Sequence, residues 1–514
     1  MTQVEDGIAA QRALCERARR APGPWAVLAR LLLTAGRAAE ALAAAEMALA
    51  QEPRHMAARA ARKAAVEALE ASDPVLAALE LTAALNPDDA RAHLELGHAC
   101  ADLDRPADAE RHLKQALALD PDLTEARARL AALYLGVGIE DGAEHHSRLV
   151  LTSEPGQAVA SQTLAAILER RGEHAGAQKL LDEAYGRQSL FVEPARDSRL
   201  TVLVMATQTG GNIPYRHLMP PNRYTRLVWY MEHAQDGQIA GLPAHDVVFN
   251  AIGDADVAEA CEAPVRRFLA ARPRPVLNDP DKVSLTRRHL IPVLLGGLDG
   301  VAVPAAARLE AGAVAGSSLA EAAARAGLAP PLLVRPIGSH GGRGLSLAET
   351  PEVLAELGTA FEGEDLYLTQ YCDYRSSDGR FRKGRMIFVD RRPYPYHWAV
   401  AEDWMVHYDN AGMGGDAARQ AEERRFLSDP RGFLGPGAYA AIEAIGRRLD
   451  LDYCGLDFSL LPDGRVLVFE ANATMLAHPE SPDGEFAYKN PAVQAIVEAF
   501  QARLGALASA LSGL

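Results

Sequence analysis

Cysteine is scarce in this chain: five in 514 residues, at Cys15, Cys100, Cys261, Cys372 and Cys454. No two of them share a CxxC or zinc-ribbon spacing, and an odd, scattered set does not build a disulfide framework. That pattern fits a reducing compartment, so the cytoplasm is expected. Long apolar runs are missing too. Nowhere do roughly eighteen apolar residues follow one another, so no membrane span is expected. The opening MTQVEDGIAAQRALCERARR lacks a basic segment followed by an apolar one, so no signal peptide is expected. Positive charge is in deficit. With 53 Lys and Arg against 68 Asp and Glu, the formal charge is −15. A partner held mainly through phosphates, such as nucleic acid, is therefore excluded, although a local basic patch around a small polyanion stays open. No Ser-His-Asp or Cys-His pattern of nucleophilic catalysis stands out.

The length exceeds what one hydrophobic core serves, so two to four domains are expected. Composition changes near residue 190, from Ala, Leu, Arg and Glu to Val, Gly, Pro, Tyr and Asp. Before that point the sequence repeats. Pro53, Pro87, Pro121 and Pro155 are each 34 residues apart. Ala41, Ala109, Ala143 and Ala177 keep the same phase, as do Ala48 with Ala116, and Leu28 with Leu96, Leu130 and Leu164. Trp25 and Gly97 fit further positions of the pattern. The second unit fits worst, with Arg62, Lys63 and Val75 at positions where Leu, a small residue and Ala are usual. One period shared by several independent positions resembles the tetratricopeptide repeat, a helix–turn–helix of that length. The resemblance covers about four and a half units and implies an all-α solenoid over residues 1–190. Stacked units leave a concave groove, which implies a peptide or protein partner, a scaffold, or an oligomer contact.

Beyond residue 197 the pattern becomes α/β. The runs 200–206, 245–250 and 274–278 read as short buried strands, with a helix at 265–271 between them. Residues 332–345, LLVRPIGSHGGRGL, place a strand and Arg335 before a loop carrying Gly338, Gly341, Gly342 and Gly344. Glycines let successive backbone N–H groups approach phosphate oxygens, yet no GK[ST] follows, so this is not a Walker loop. A strand follows at 366–374, then 383–389, where Lys383 and Arg385 share one face. The segment YCGLDFSLLPDGRVLVFEANA at 453–473 has two strands flanking Asp463-Gly464, a hairpin signal. Pairing symmetric about that dipeptide sets Asp457 opposite Glu470, with Asn472 on the same face. Opposed carboxylates destabilise a hairpin unless a cation joins them, and hard oxygens of this kind suit Mg²⁺.

This order of motifs resembles the ATP-grasp superfamily over residues 198–505. The resemblance implies a pre-ATP-grasp α/β subdomain at 197–275 and an ATP-grasp domain at 276–514. Within it the lid would be 300–371 and the metal-binding subdomain 372–505. The stretch VLNDPDKVSLTRRHL at 276–290 is similar to the segment leading into the grasp. By the same resemblance, Arg335 takes the place of a phosphate-binding Lys, and Ser339, His340, Gly341, Gly342 and Gly344 form the loop over the phosphates. Gln370 and Tyr371 would lie at the adenine hinge, Asp373 near the ribose, and Lys383 at the nucleotide. Arg385 would steady the transferred phosphoryl group with Arg335. Asp457, Glu470 and Asn472 would bind two Mg²⁺ ions, with Mn²⁺ as a substitute. Arg at 335 keeps the charge of the usual Lys but changes its geometry; His340 stands where a small residue is usual.

The implied chemistry is an ADP-forming carbon–nitrogen ligation through an acyl phosphate, on a peptide, amino-acid or other carboxylate substrate. Arg287 and Arg288 are candidates for clamping a carboxylate, and His397 and His407 for a general base. The segment Ala411–Gly415 reads as a mobile loop over the substrate. Two other readings stay open: a non-catalytic nucleotide-binding adaptor, and a kinase of a small molecule.

Overall fold

The computed structural model describes every residue except 1, 2, 71–73, 104, 196, 197, 209, 221, 222, 273, 274, 312–317, 340, 341, 343, 409, 513 and 514. The chain divides into two compact units, Met1–Arg187 and Gln188–Leu514.

Among the described residues the first unit holds eleven helices. Helix α1 (Gln3–Arg17) precedes five helical hairpins. These are α2 and α3 (Pro22–Thr34, Ala38–Gln51), α4 and α5 (Met56–Glu70, Pro74–Leu85), α6 and α7 (Ala90–Asp102, Pro106–Leu119), α8 and α9 (Thr124–Gly136, Glu140–Ser153), and α10 and α11 (Ala158–Arg170, His174–Arg187). The array is therefore five full hairpins and a leading helix, somewhat more than the four and a half units read from the sequence. Small in-phase residues sit where paired helices touch: Ala41, Ala109, Ala143 and Ala177 are fully buried. A Cβ at Gly97 would lie 2.9 Å from Leu113 Cγ, so the approach of α6 to α7 needs that glycine. Arg62 occupies the phase of the buried leucines but is exposed and pairs with Glu46 at 2.5 Å. Ala61 and Ala65 are buried on α4 instead, and this smaller side-chain set is why the second unit fits the pattern poorly.

Among the described residues the second unit contains three sheets. The first has the order β1-β3-β2-β4-β5, from β1 (Leu190–Glu193), β2 (Leu200–Ala206), β3 (Tyr224–Tyr230), β4 (Val247–Asn250) and β5 (Val276–Leu277). All neighbours are parallel except β1 with β3. A parallel sheet is covered on both faces, so β2 reads as a continuous apolar run. Val202, Val204 and Ala206 face one core, and Leu203 and Met205 the other.

The second sheet follows the order β7-β10-β8-β9 and is antiparallel. Its strands are β7 (Ala306–Leu309), β8 (Leu332–Pro336), β9 (Ser346–Ala348) and β10 (Leu366–Gln370), over a small core of Leu319, Leu332, Val334, Leu354 and Leu368. The third sheet runs β12-β11-β13-β14-β6, from β6 (Val301–Ala302), β11 (Phe381–Val389), β12 (Arg392–Ala401), β13 (Tyr453–Leu460) and β14 (Val466–Asn472). Strand β6, within the 300–371 segment, joins this third sheet by pairing with β14 in parallel.

Helices α12 (Pro436–Leu449) and α13 (Asn490–Ser512) help to close the main core over this sheet. A Cβ at Gly446 of α12 would lie 2.6 Å from Arg391 O and 2.6 Å from Phe388 Cδ1. Gly446→Ala should therefore cost about 1–3 kcal/mol through overpacking. Urea unfolding measures it, and an unchanged midpoint would mean that α12 shifts freely. Among the described residues, no helix is long and apolar enough to cross a membrane.

Candidate functional site

The β13–β14 hairpin reaches the expected pairing by an unexpected route. Leu461 N–H donates to Arg465 O, Gly464 N–H donates to Leu461 O, and Gly464 has φ +84°. The turn is thus one residue off the symmetric hairpin, and the ladder starts Leu460 with Val466, Ser459 with Leu467, and Phe458 with Val468. It then skips Phe469, a β-bulge, and resumes with Asp457 opposite Glu470. The bulge gives back the residue that the turn displaced.

Strand β11 lies beside β13 with Arg385 directly opposite Asp457. Arg385 Nε and Nη2 donate to the two Asp457 oxygens at 2.6 and 3.0 Å, and Lys383 Nζ is 2.7 Å from Oδ2. Burial opposes ionisation of Asp457, but these two cations outweigh it and hold the carboxyl well below the usual range. Arg288 Nη2 donates to Glu470 at 2.5 Å. Burial likewise opposes ionisation of Glu470, and Arg288 with Arg335 nevertheless keeps its carboxyl low. Asn472 Nδ2 donates to Glu470, while its Oδ1 accepts from Thr474 N and Oγ1 at 3.0 Å each. The amide oxygen is turned to Thr474, so the two carboxylates, and not all three groups, face the cations.

From the second sheet, Arg335 on β8 hydrogen-bonds Ser339 O and Oγ. Burial and the neighbouring Arg288 bring Arg335 down to about 10, which still leaves it charged at neutral pH. These groups open onto one cleft of about 650 Å³. The cleft gathers Arg288, Arg335, Gly342, Gln370, Tyr371, Lys383, Arg385, His407, Asp457, Glu470 and Asn472. Apolar side chains share the lining with these charged ones: Leu333, Leu345, Trp404, Leu467 and Phe469, along with Gln370 and Tyr371. Tyr371 meets Trp404 edge-on at 5.9 Å. A Cβ at Gly342 would lie 2.5 Å from His407 Nε2, so Gly342 packs directly against His407.

Other expected residues lie elsewhere. Ser339 and Arg287 line a neighbouring cavity. Asp373 does not line the cleft; its carboxylate accepts from Arg375 N, an Asx turn that draws it away. Gly344 packs close to Pro336 and is not in the lining. His397 is buried and stacks on Tyr408 at 5.0 Å. Burial, then the adjacent Arg385, holds its imidazole well below the ordinary value. It is a packed neutral group and does not reach the cleft. The segment Ala411–Gly415 is tied down: Ala411 and Met413 are buried, Gln420 donates to Met413 O, and Gly415 N–H donates to Glu485. His340 and Gly341 lie outside the described residues.

Sequence reading missed Arg308, Tyr367 and Trp404. Arg308 and Tyr367 meet only through the pairing of β7 with β10, strands remote in sequence. Trp404 sits in the aromatic stretch after β12, where nothing local marks its direction.

The residue set fits Mg²⁺ in one respect. Among the described residues no group of three His, Cys, Asp or Glu side chains could hold a metal unaided. Two carboxylates whose remaining ligands come from a nucleotide's phosphates and water are what Mg²⁺ ordinarily takes.

Comparison with known proteins gives a family match for one repeat, described as "Tetratricopeptide repeat", over residues 90–123. No curated protein sequence matches the chain. Among solved structures, YrrB, "a TPR protein with an unusual peptide-binding site", is 22% identical, covering 35% of this chain and 92% of that one, with a TM-score of 0.21. The D-alanine–D-alanine ligase from Bacillus anthracis is 15% identical over 58% of this chain and 97% of its own, TM-score 0.36. A RimK domain protein ATP-grasp from Sphaerobacter thermophilus DSM 20745 is 16% identical over 58% and 99%, TM-score 0.33. The helical unit therefore contains a tetratricopeptide repeat at residues 90–123, and the unit that follows it is α/β.

Proposed function

We propose that this chain is an ATP-dependent ligase of the ATP-grasp type, which activates a carboxylate and joins it to an amine on an amino-acid or peptide substrate. One observation carries the reading: two ionised carboxylates, one buried and one half-buried, and four cations, Arg288, Arg335, Lys383 and Arg385, line one cleft together with apolar side chains. That is the charge pattern a magnesium-bound triphosphate with a flat base requires.

Asp457 and Glu470 would hold Mg²⁺, which when bound neutralises charge on the β- and γ-phosphates. The chain's cations do the rest. Arg385 and Lys383 exchange Asp457 for phosphate oxygens, and Arg288 does the same from Glu470. Arg335, hydrogen-bonded to Ser339, supplies a further cation from β8. The substrate carboxylate attacks the γ-phosphorus, ADP leaves, and an amine then displaces phosphate from the acyl phosphate. Fixed cations around developing charge are the main source of rate in such transfers. No protein nucleophile is required, in keeping with the buried, inert thiols of Cys261 and Cys454. In this reading the repeat array holds a peptide or protein partner, and the protein works in the cytoplasm.

The test is ADP release with Mg²⁺ and ATP against a panel of peptides and amino acids. Stimulation by a panel member, with a ligated product of matching mass, is the expected result. A stable phosphorylated product would favour a kinase, and nucleotide binding without turnover an adaptor. For Arg335 the expected order is wild type, Arg335→Lys, then Arg335→Ala. Nucleotide affinity should fall several-fold for Lys and about 10–100-fold for Ala, as loss of a charge-assisted contact implies. Equal affinity in all three would remove Arg335 from the nucleotide site.

A further inference from the structure

Arg287 lines the cavity beside the cleft, and Arg308, which is outside that lining, approaches the same lining residue, Asp256. Arg308 on β7 lies opposite Tyr367 on β10, and Tyr367 lies opposite Arg335 on β8, so one row across the second sheet reads Arg308, Tyr367, Arg335. Tyr367 OH donates to Asp256, 2.7 Å from Oδ1. With Asp256 so engaged, Arg287 Nε and Arg308 Nη1 stand 3.9 and 3.6 Å from its Oδ1. Glu259 lies 3.3 Å from Arg287 and 3.5 Å from Arg308, and Asp365 lies 3.8 Å from Arg308. Charge-assisted pairs close at about 2.7–2.9 Å. Arg382 with Glu422, at 2.7 Å, and Arg391 with Asp450, at 2.8 Å, do so. Arg287 and Arg308 do not, and the Nε of each is buried with no hydrogen-bond partner. Two guanidinium forks therefore converge with donors left over, in a place where an added acceptor is favoured over none.

We propose that Arg287 and Arg308 grip a carboxylate of the substrate that is not consumed in the reaction: the α-carboxylate of an amino acid or the C-terminal carboxylate of a short peptide. This rests on the ligase reading and assigns its substrate class. Planar bidentate donors match a carboxylate, and Asp254 and Asp256, which line the cavity with Arg287, give an ammonium group an acidic counterpart. The carboxylate held here is not the one activated, because Lys383 and Arg385 line the other cavity and not this one. Arg288, Arg335 and Glu470 line both, so a molecule anchored by Arg287 and Arg308 extends toward the transfer centre.

The full-length chain with Mg²⁺ and the non-hydrolysable nucleotide AMP-PNP is offered two pools of the same tripeptides, one with free C-termini and one amidated. Retained peptides are measured by mass spectrometry. The expected result is at least tenfold greater retention from the free-acid pool, lost in Arg287→Gln and Arg308→Gln and restored in part by Arg308→Lys. Equal retention of the amidated pool, undiminished retention by the two Gln variants, or retention from neither pool overturns the subsite. Calorimetry of AMP-PNP binding in the same samples separates this from the broader reading. A wild-type chain that does not bind the nucleotide overturns the ligase itself. Variants that bind it as the wild type does are folded, and for them the peptide measurement decides.

Discussion

Replacing Glu470 with Gln should lower kcat for ADP formation by about 10³-fold or more while the protein remains folded. Such a loss corresponds to about 4 kcal/mol of transition-state stabilisation, the range found when one electrostatic group is removed from a preorganised site. The substitution preserves shape. A Gln oxygen at 470 still accepts from Arg288 and from Asn472, which both donate to the carboxylate in the wild type. What disappears is one negative charge and with it, on the proposed reading, the site's hold on Mg²⁺ as opposed to nucleotide. The two effects separate experimentally. Binding of ATP without metal should be unchanged or tighter, because Arg288 is freed for the phosphates, whereas the Mg²⁺ concentration needed for turnover should rise steeply. If Glu470→Gln turns over at the wild-type rate in ordinary Mg²⁺, the carboxylate does not serve the metal and the ligase reading loses its centre. Circular dichroism and the urea midpoint guard against a trivial loss by unfolding.

The parts of this site that were readable beforehand were those written within one short stretch of chain. Asp457, Glu470 and Asn472 lie on two strands joined by a Pro-Asp-Gly turn, so alternation and a turn signal were enough to bring them together. Even there the sequence concealed two compensating irregularities, an odd-length turn and a bulge at Phe469. The repeat array was legible for a similar reason, since each hairpin touches its neighbours and a 34-residue period sets the buried Ala41, Ala109, Ala143 and Ala177. Legibility failed where strands distant in sequence pair. Arg287 and Arg288 look equivalent as a dipeptide, yet one turns to Asp256 and Glu259 and the other to Glu470. Nothing local distinguishes them. Arg308 drew no notice because its meaning depends on Tyr367, 59 residues later, and on the pairing of β7 with β10. His397 failed differently. Strand β12 was unrecognised, and without it the burial of His397 against Tyr408 could not be foreseen.

Asp457→Asn should be the more damaging change for stability. Asp457 is 1% exposed and is the common partner of Arg385 and Lys383, so removing its charge leaves two cations facing each other in a poorly solvated corner. Breaking a buried pair by deleting one partner typically costs about 3–5 kcal/mol, because the remaining charge is uncompensated. The urea midpoint of the α/β unit should fall accordingly. The same pairing sets a pH dependence. The folded carboxyl is held well below its ordinary value, so the unfolded chain takes up the proton first as pH falls. Its contribution is complete above the unfolded value near 3.9 and drains away below it, toward the much lower folded value. Wild-type stability should therefore decline below about pH 4 more steeply than that of Asp457→Asn, which has no such group to protonate. ATP offers an independent check, since phosphates can take the place of the lost carboxylate opposite Arg385 and Lys383. Metal-free ATP should stabilise Asp457→Asn more than it stabilises the wild type. Equal stabilisation of the two would mean that these cations do not face the nucleotide, and the charge exchange on which the mechanism depends would have to be abandoned.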